Sequence, residues 1–270
     1  MLTKKSLGQH FLRSKAALAK IVEAARLSPD DTVLEVGPGE GALTELLLQK
    51  AGRVVAVEKD DRLIPILQEK FSDEIASGKL SLIHADILDF DTKRYTLYAK
   101  RFKVVANIPY YITGALLRRF LESESQPSAM VLLLQKEVAK RIVAQDGKES
   151  ILSISVKAYG TAKYIGTVKA RAFSPPPKVD SAIIAIENIS KDFFDTLACH
   201  PRENDNEKQF FAMLRKGFAH PRKLLSSNLG ITAEKLRACG IAEKARAENL
   251  SVENWKLLLT ICRSQTPTNL

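Results

Sequence analysis

Three glycines followed by an acidic residue have the spacing of a nucleotide-binding turn. Gly37, Gly39 and Gly41 lie in the segment LEVGPGEGALT, between an apolar stretch and a helical pattern. Glycines allow a tight turn there and let a ligand approach the backbone at the start of a helix. Glu58 ends the next apolar stretch, at about the spacing, roughly 20 residues, at which an acid binds ribose hydroxyls in α/β folds. These residues predict a site for a cofactor that contains adenosine.

The glycine turn leaves two classes of cofactor open, a dinucleotide and S-adenosylmethionine. The glycines are spaced G-x-G-x-G, whereas the pyrophosphate-binding turn of dinucleotide folds has G-x-G-x-x-G, so the case for a dinucleotide is weaker. Asp86 ends the third apolar stretch and is a candidate acceptor for an adenine amino group. Its alternative role is that of a helix N-cap.

The segment VVANIPYY brings an amide, a proline and two aromatic rings to the end of a further apolar stretch. If a sulfonium methyl group lies above the ends of the first and fourth strands, Asn107 and the carbonyl of Ile108 could accept hydrogen bonds from an exocyclic amine. Two such acceptors would favour a pyramidal, nucleophilic nitrogen, and positioning would supply most of the catalysis. Pro109 would fix the loop, Tyr110 would stack on an extruded base, and we expect Tyr111 to pack. The alternative is an ordinary strand-to-helix turn.

The elements that must position these residues follow an α/β pattern. From Thr32 onward, nearly continuous apolar stretches alternate with helical patterns, which predicts a mostly parallel, Rossmann-like sheet of about seven strands. Two late strand candidates, AKYIGTVKA and SAIIAIEN, predict an edge pair. The remainder is helical, with glycine stops at Gly230 and Gly240. We therefore predict a cofactor-binding domain over residues 1–188 and a small all-helical domain over 189–270.

The amino-acid composition indicates the kind of binding partner and the cellular compartment of the protein. The 270 residues carry 41 Lys and Arg against 31 Asp and Glu, with a pI near 9.4, which favours association with a polyanion such as nucleic acid. Cys199, Cys239 and Cys262 are odd in number and widely spaced, so we expect neither disulfides nor a metal site, and a reducing cytoplasm. No apolar run has the roughly 20 residues of a membrane helix. A monomer is the expected state.

Seven short motifs occur in the order in which one enzyme family carries them. They are GQHFL (8–12), EVGPGEGALT (35–44), VEKD (57–60), ADIL (85–88), NIPYYIT (107–113), LQKEVAKRI (134–142) and FSPPPKVDS (173–181). On these motifs the chain resembles the ribosomal RNA small-subunit adenine dimethyltransferases, the family of the kasugamycin-sensitivity methyltransferase and its relatives. The resemblance runs from about residue 4 into the helical region.

The resemblance implies an S-adenosylmethionine-dependent enzyme that dimethylates the N6 amines of two adjacent adenosines near the 3′ end of small-subunit (16S) rRNA, during ribosome biogenesis. Within the cofactor site, Gly37 would meet the methionine part, Glu58 the ribose hydroxyls and Asp86 the adenine. The full cofactor-binding set that the resemblance implies is His10, Leu12, Gly37, Gly39, Glu58, Asp86 and Asn107. Many members of the family carry Asn where His10 lies.

The resemblance also assigns catalytic and RNA-binding residues. Asn107, Ile108, Pro109 and Tyr110 would form the catalytic loop, and Phe173 of FSPPPKVDS would stack on the face of the target base opposite Tyr110. Such stacking contributes about 1 to 3 kcal/mol per base. In the helical domain, the side chains suited to rRNA phosphates are Arg215, Lys216, Arg222 and Lys223.

Three other functions fit part of the pattern. A sister group that methylates large-subunit rRNA shares the NIPY loop and the glycine turn, but the segment FFAMLRKGFAHPRKLLSSNLG resembles the small-subunit group. A non-catalytic nucleic-acid-binding protein on the same fold is disfavoured by the intact catalytic loop. A nicotinamide dehydrogenase is disfavoured by the glycine spacing.

Overall fold

A computed structural model describes residues 9–92, 102–196 and 203–263. Their strands are β1 (Phe11–Leu12), β2 (Thr32–Val36), β3 (Arg53–Glu58), β4 (Leu80–His84), β5 (Phe102–Asn107), β6 (Ala129–Gln135), β7 (Thr161–Val168), β8 (Phe173–Ser174) and β9 (Ser181–Glu187). Their helices are α1 (Lys15–Ala25), α2 (Ala42–Lys50), α3 (Ile64–Lys70), α4 (Ser72–Ala76), α5 (Thr113–Leu121), α6 (Lys136–Val143), α7 (Ile151–Lys157), α8 (Asp192–Asp195), α9 (Glu203–Gly217), α10 (Leu225–Leu229), α11 (Ala233–Ala238) and α12 (Val252–Arg263).

The main sheet has seven strands in the order β4-β3-β2-β5-β6-β9-β7. The first five run parallel, β9 pairs antiparallel with β6, and β7 pairs antiparallel with β9. The prediction of an α/β fold with about seven strands and a late edge pair is confirmed. A separate two-stranded sheet of β1 and β8 pairs Leu12 with Phe173, and the sequence analysis did not predict it.

Helix α1 covers one face of the seven-stranded sheet because its apolar side chains recur at helical spacing. Leu18, Ile21 and Ala25 are buried in the same apolar cluster as strand residues of β2, β3, β5 and β6. The helix begins at Ser14, whose Oγ accepts a hydrogen bond from the N–H of Ala17 at 3.3 Å. This N-cap orients the chain segment that precedes the helix and carries β1.

Contacts divide the chain into two compact units. The first comprises residues up to Ala139 together with Thr161–Ile189, and the second comprises Lys140–Gly160 and Ser190–Leu270. The predicted boundary placed 140–160 with the sheet. Within the second unit, however, the Tyr159 ring packs 5.1 Å from the Phe194 ring, and its hydroxyl donates to Glu207 at 2.6 Å. The boundary was predicted from the break in the hydrophobic pattern near residue 189, and that pattern does not reveal long-range contacts of this kind.

The second unit is helical in its described part and has its own core. Trp255, Phe210 and Leu225 are fully buried there. Helix α10 ends at Gly230 with a φ of 70°, and Gly240, with a φ of 67°, follows α11, so both predicted glycine stops occur at helix ends. Cys239 and Cys262 are free thiols, and Cys199 lies outside the described residues. No described helix is both long enough and apolar enough to cross a membrane.

One acid lies inside the sheet of the first unit. Glu35, in strand β2, is 1% exposed, and neither of its carboxylate oxygens makes a hydrogen bond of good geometry with a described residue. Burial raises the pKa of Glu35 from 4.5 to about 8, because the interior disfavours the charged form. The nearby Thr44 hydroxyl opposes only part of the effect of burial on the pKa of this acid. The folded protein therefore keeps the Glu35 proton at neutral pH, whereas the unfolded chain releases it.

This buried proton predicts a pH-dependent stability. Between about pH 4.5 and 8 the folded state binds one proton more than the unfolded state at Glu35, so the free energy of unfolding falls as the pH rises. We expect Glu35→Gln to reduce that fall, on the order of a few kcal/mol, in urea unfolding at pH 5 and pH 8. Glu45→Gln, at an exposed acid on α2, is the control. An equal pH dependence in wild type and Glu35→Gln would contradict the assignment.

Candidate active site

The carboxyl ends of β2, β3 and β5 border one cavity of about 180 Å³ in the first unit. Parallel strands bring the residues that follow them to the same edge of a sheet, where α/β proteins bind their ligands. All of the cofactor and catalytic residues predicted from the sequence line this cavity, namely His10, Leu12, Gly37, Gly39, Glu58, Asp86, Asn107, Ile108, Pro109, Tyr110 and Phe173.

The glycine turn leaves its backbone open to this cavity. Gly37 has a φ of 69°, and a Cβ built on it would meet no protein atom within 4 Å. Gly41, at the start of α2, has a φ of 79°, and a Cβ there would lie 2.5 Å from the Phe71 ring. The left-handed backbone and the close packing therefore require glycine at position 41. At position 37 the glycine presents bare backbone to a ligand.

Glu58 joins the glycine turn to the end of β3. One carboxylate oxygen accepts a hydrogen bond from the N–H of Gly39 at 3.0 Å, and the other accepts from the N–H of Asp60 at 2.8 Å. Burial raises the pKa of Glu58, and these two N–H groups oppose that effect because they stabilise the carboxylate. The sequence analysis anticipated the position of Glu58 beside the glycines but not its bond to their backbone.

Asp60 is a buried acid two residues after Glu58, and it was not singled out from the sequence. Its carboxylate accepts hydrogen bonds from Gln9 Nε2 at 2.7 Å and from the Arg62 guanidinium at 2.6 and 2.8 Å. The Arg62 contact lowers the pKa of Asp60 well below its usual range. Asp60 thereby anchors the start of the GQHFL segment. Asp60 is the second acid of the motif VEKD, and its place in that motif could have identified it as a candidate site residue.

Asp86 forms an ion pair with Lys59, and both residues line the cavity. Its Oδ2 lies 2.5 Å from Lys59 Nζ, and its Oδ1 accepts a hydrogen bond from the N–H of Leu88 at 3.0 Å. The hydrogen bond from Lys59 lowers the pKa of Asp86. A turn and no helix follows Asp86 among the described residues, so the Leu88 contact holds that turn and is not a helix N-cap. The role of Asp86 as an acceptor for adenine stays a prediction. Lys59 was not identified from the sequence.

Asn107 is held in one orientation at the end of β5. Its Nδ2 donates to the carbonyl of His10 at 3.3 Å, so the amide oxygen points away from that contact. The next peptide is held as well, because the N–H of Ile108 donates to the carbonyl of Leu133 at 3.3 Å. The carbonyl of Pro109 then accepts from the N–H of Ile112 at 3.2 Å.

Two aromatic residues of the predicted catalytic set line the same cavity. The Tyr110 hydroxyl lies 2.8 Å from Ser181 Oγ, and the Tyr110 ring is stacked against His10 with centroids 6.2 Å apart. Burial raises the pKa of Tyr110, so its phenol is neutral. Phe173 is 5% exposed and belongs to the apolar cluster while also lining the cavity. The Phe173 ring therefore packs against the core and also borders the cavity.

The packing prediction for Tyr111 is wrong. This side chain is 62% exposed and lies at the cavity wall. It belongs to a short 3-10 turn, Tyr110–Ile112, in which successive side chains point in different directions, so Tyr110 is half-buried and Tyr111 is left in solvent.

The residues predicted to contact RNA phosphates lie in the second unit and are exposed. Arg215 and Lys216 occupy the last turn of α9, and Arg222 and Lys223 lie in the turn before α10. Lys216 has a structural contact, since its ammonium donates to the carbonyl of Leu229 at 2.8 Å. Arg222 and Lys223 have no ion pair with any described residue.

Comparisons with known proteins agree with this geometry. A family model described as ribosomal RNA adenine dimethylase matches residues 1–263. A ribosomal RNA small subunit methyltransferase A from Dehalococcoides mccartyi strain 195 is 43% identical, with 96% of this chain and 88% of the relative covered. The enzyme of the same name from Geobacter metallireducens is 37% identical, with 94% of each chain covered.

Two solved structures of RNA-modifying enzymes resemble this chain over nearly its whole length. A dimethyladenosine transferase from Plasmodium falciparum superposes with a TM-score of 0.78 at 27% identity, covering 94% of this chain and 98% of that one. The 23S rRNA methyltransferase ErmE superposes with a TM-score of 0.75 at 27% identity, covering 93% and 98%. With a family model that matches nearly its whole length and relatives this similar, the chain belongs to the ribosomal RNA adenine dimethylases.

Proposed function

We propose that this protein transfers methyl groups from S-adenosylmethionine to the N6 amines of two adjacent adenosines near the 3′ end of 16S rRNA, as a step in small-subunit biogenesis. The observation that carries the proposal is the position of Asn107 and Tyr110 on the same cavity as Glu58 and Asp86. The choice of the small subunit is supported by the names of the relatives at 37% to 43% identity.

The cavity has the groups that S-adenosylmethionine requires. Glu58 would accept hydrogen bonds from the ribose hydroxyls and Asp86 from the adenine amine, while the open backbone at Gly37 leaves room for the methionine part. His10, Leu12 and Gly39 would border the bound molecule. When bound, this cofactor supplies a methyl group on a sulfonium, an electrophile that needs no metal. The residues of the chain then have only to orient it and the target amine.

Asn107 and Ile108 would position the target amine. The Asn107 amide oxygen, oriented by the bond from Nδ2 to His10, and the carbonyl of Ile108 would accept the two hydrogens of the adenine N6. This arrangement turns the nitrogen lone pair toward the methyl carbon and accounts for rate enhancement by orientation and electrostatics. The amine attacks in its neutral form and becomes strongly acidic once it is methylated, so its proton can pass to water and no strong base is required.

Tyr110, Pro109 and Phe173 would hold the target base itself. The Tyr110 ring is fixed by its contacts with Ser181 and His10, and Phe173 lines the same cavity. An adenine removed from its helix would stack between the two rings, which offsets the unstacking that extrusion costs. Pro109 limits the freedom of the loop between β5 and α5. Apolar walls exclude water from the reacting atoms.

The helical region, residues 189–270, would dock small-subunit rRNA through Arg215, Lys216, Arg222 and Lys223. The last two are the best placed, since they lie in an exposed turn and no described acid pairs with them. The proposed substrate is small-subunit rRNA or the assembling subunit, and the proposed enzyme is a cytoplasmic monomer without a metal.

The first experiment is incubation of the protein with labelled S-adenosylmethionine and unmethylated small subunits, followed by nucleoside analysis and mapping. We expect dimethyladenosine at two adjacent positions near the 3′ end of 16S rRNA. Dimethyladenosine in large-subunit RNA alone would move the protein to the sister group. Cofactor binding without transfer to any RNA would contradict an enzymatic role.

Asn107→Ala tests the catalytic loop. We expect methyl transfer to fall by at least about 100-fold, in the range seen when one positioned hydrogen-bonding group is lost. The dissociation constant for S-adenosylmethionine should change by less than about tenfold, because Glu58 and Asp86 remain. Gln68→Ala, which removes an exposed amide on α3 of the same unit, away from the residues that line the cavity, is the matched control for folding. A variant with normal transfer rates would exclude Asn107 from the reaction.

Arg222→Ala with Lys223→Ala tests the helical region. Removing two phosphate contacts should weaken binding to small subunits and reduce the slope of log K against log salt by roughly 0.7 to 0.9 per contact. Lys208→Ala with Lys244→Ala removes the same charge from exposed sites in the same unit. Equal salt slopes in the two double variants would show that net charge alone is responsible.

A further inference from the structure

A second concave site lies on the first unit, beside the cavity already described. It is a cleft of about 580 Å³ between the start of α1 and the end of β7. Both elements reach it at the carboxyl edge of the sheet, since α1 runs antiparallel to β2 and β7 runs parallel to β6. The cleft is lined by Arg13, Ser14, Ala16, Ala17, Lys20, Thr167, Val168, Lys169, Arg171 and Ala172.

The charge of this cleft is entirely positive. Its lining has four cationic residues and no acid. Arg13 is paired with Glu40 at 2.6 Å and Lys169 with Asp180 at 3.0 Å. Lys20 and Arg171, both exposed, form no ion pair with any residue in the described part of the chain. Two cations therefore face the cleft without an acidic partner among the described residues, which is the arrangement expected for an anionic ligand.

The start of α1 adds to this positive potential. The helix has 11 residues and no acidic residue in its first turn, although acids are favoured there by the helix dipole. Ser14 satisfies the N–H of Ala17, and Ala16 of the same first turn lines the cleft. Helix N-termini bind phosphate groups through their free N–H groups. The cleft thus combines unpaired side-chain cations with a helix end that no acid neutralises.

The cleft is continuous with the candidate active site. Arg13 lines both the cleft and the cavity, and its N–H donates to the carbonyl of Ala172 at 2.8 Å. Ala172 lines the cleft, while the next residue, Phe173, lines the cavity. The short sheet of β1 and β8 therefore lies where the cleft and the cavity meet. An RNA strand with one base in the cavity would run directly past the cleft.

We propose that this cleft binds phosphodiester groups of the RNA strand next to the target adenosine, with Lys20 and Arg171 as the principal contacts. This inference rests on the proposed function and extends it, because it gives the first unit its own RNA-binding surface, separate from the helical region. Several cations spread along a cleft suit consecutive phosphates of a chain. Phosphate contacts of this kind set the register of a nucleic acid without reading its bases.

The test is the double substitution Lys20→Gln with Arg171→Gln. With two contacts of slope about 0.7 each, we expect binding to an unmethylated 3′-terminal small-subunit RNA fragment to weaken by roughly 10- to 30-fold at 0.1 M salt. The KM for RNA should rise by a similar factor, while the affinity for S-adenosylmethionine and kcat at saturating RNA remain unchanged. Arg171→Lys should retain most of the binding, because it preserves the charge.

The matched control is Lys50→Gln with Lys79→Gln. These two exposed lysines belong to the same unit but lie at the amino ends of β3 and β4, at the opposite edge of the sheet. Equal loss of binding in the two double variants, or no loss in the cleft variant, would overturn the proposal while methylation by the wild type still supports the function. A wild-type protein that methylates no RNA would instead overturn the proposed function itself.

Discussion

The buried carboxylate of Glu58 is the constraint on which the candidate site depends. Its two oxygens accept the N–H groups of Gly39 and Asp60, so one side chain joins the turn after β2 to the end of β3. Asp60 in turn holds Gln9, and the neighbouring His10 carbonyl accepts from Asn107. Strand ends that are distant in sequence are thereby held in one arrangement before any ligand binds, which lowers the cost of ordering them on binding.

The burial of several acidic side chains affects the distribution of charge on the protein surface. Glu35, Glu58 and Asp60 are buried, so the surface is more basic than the net charge of +10 indicates. Lys20 and Arg171 at the cleft beside α1, and Arg222 and Lys223 in the turn before α10, are among the exposed cations that form no ion pair with a described residue. A long RNA substrate that contacts several such places gains affinity and orientation together, and each contact is sensitive to salt.

The sequence indicated the α/β class and the number of strands correctly, and the residues that it predicted for the cofactor and catalytic sites line one cavity. It did so because parallel strands place their carboxyl ends together, so that Gly37, Glu58, Asp86 and Asn107 had to meet at one edge. It did not identify Lys59 or Ser181, which act through partners distant in sequence. The exposure of Tyr111 was also missed, because hydrophobicity alone does not give the direction of a side chain in a 3-10 turn.

What the sequence determined by itself was therefore local and periodic: the apolar strands, the glycine turn, the NIPY loop and the family. The tertiary structure decided which ionisable groups are buried and which residues from distant segments come together. It buried Glu35 in the sheet, packed Tyr159 against Phe194 and brought Lys20 of α1 and Arg171 after β7 to the same cleft. The physical reason is that burial and charge pairing depend on distances between chain segments, and no single stretch of sequence contains those distances.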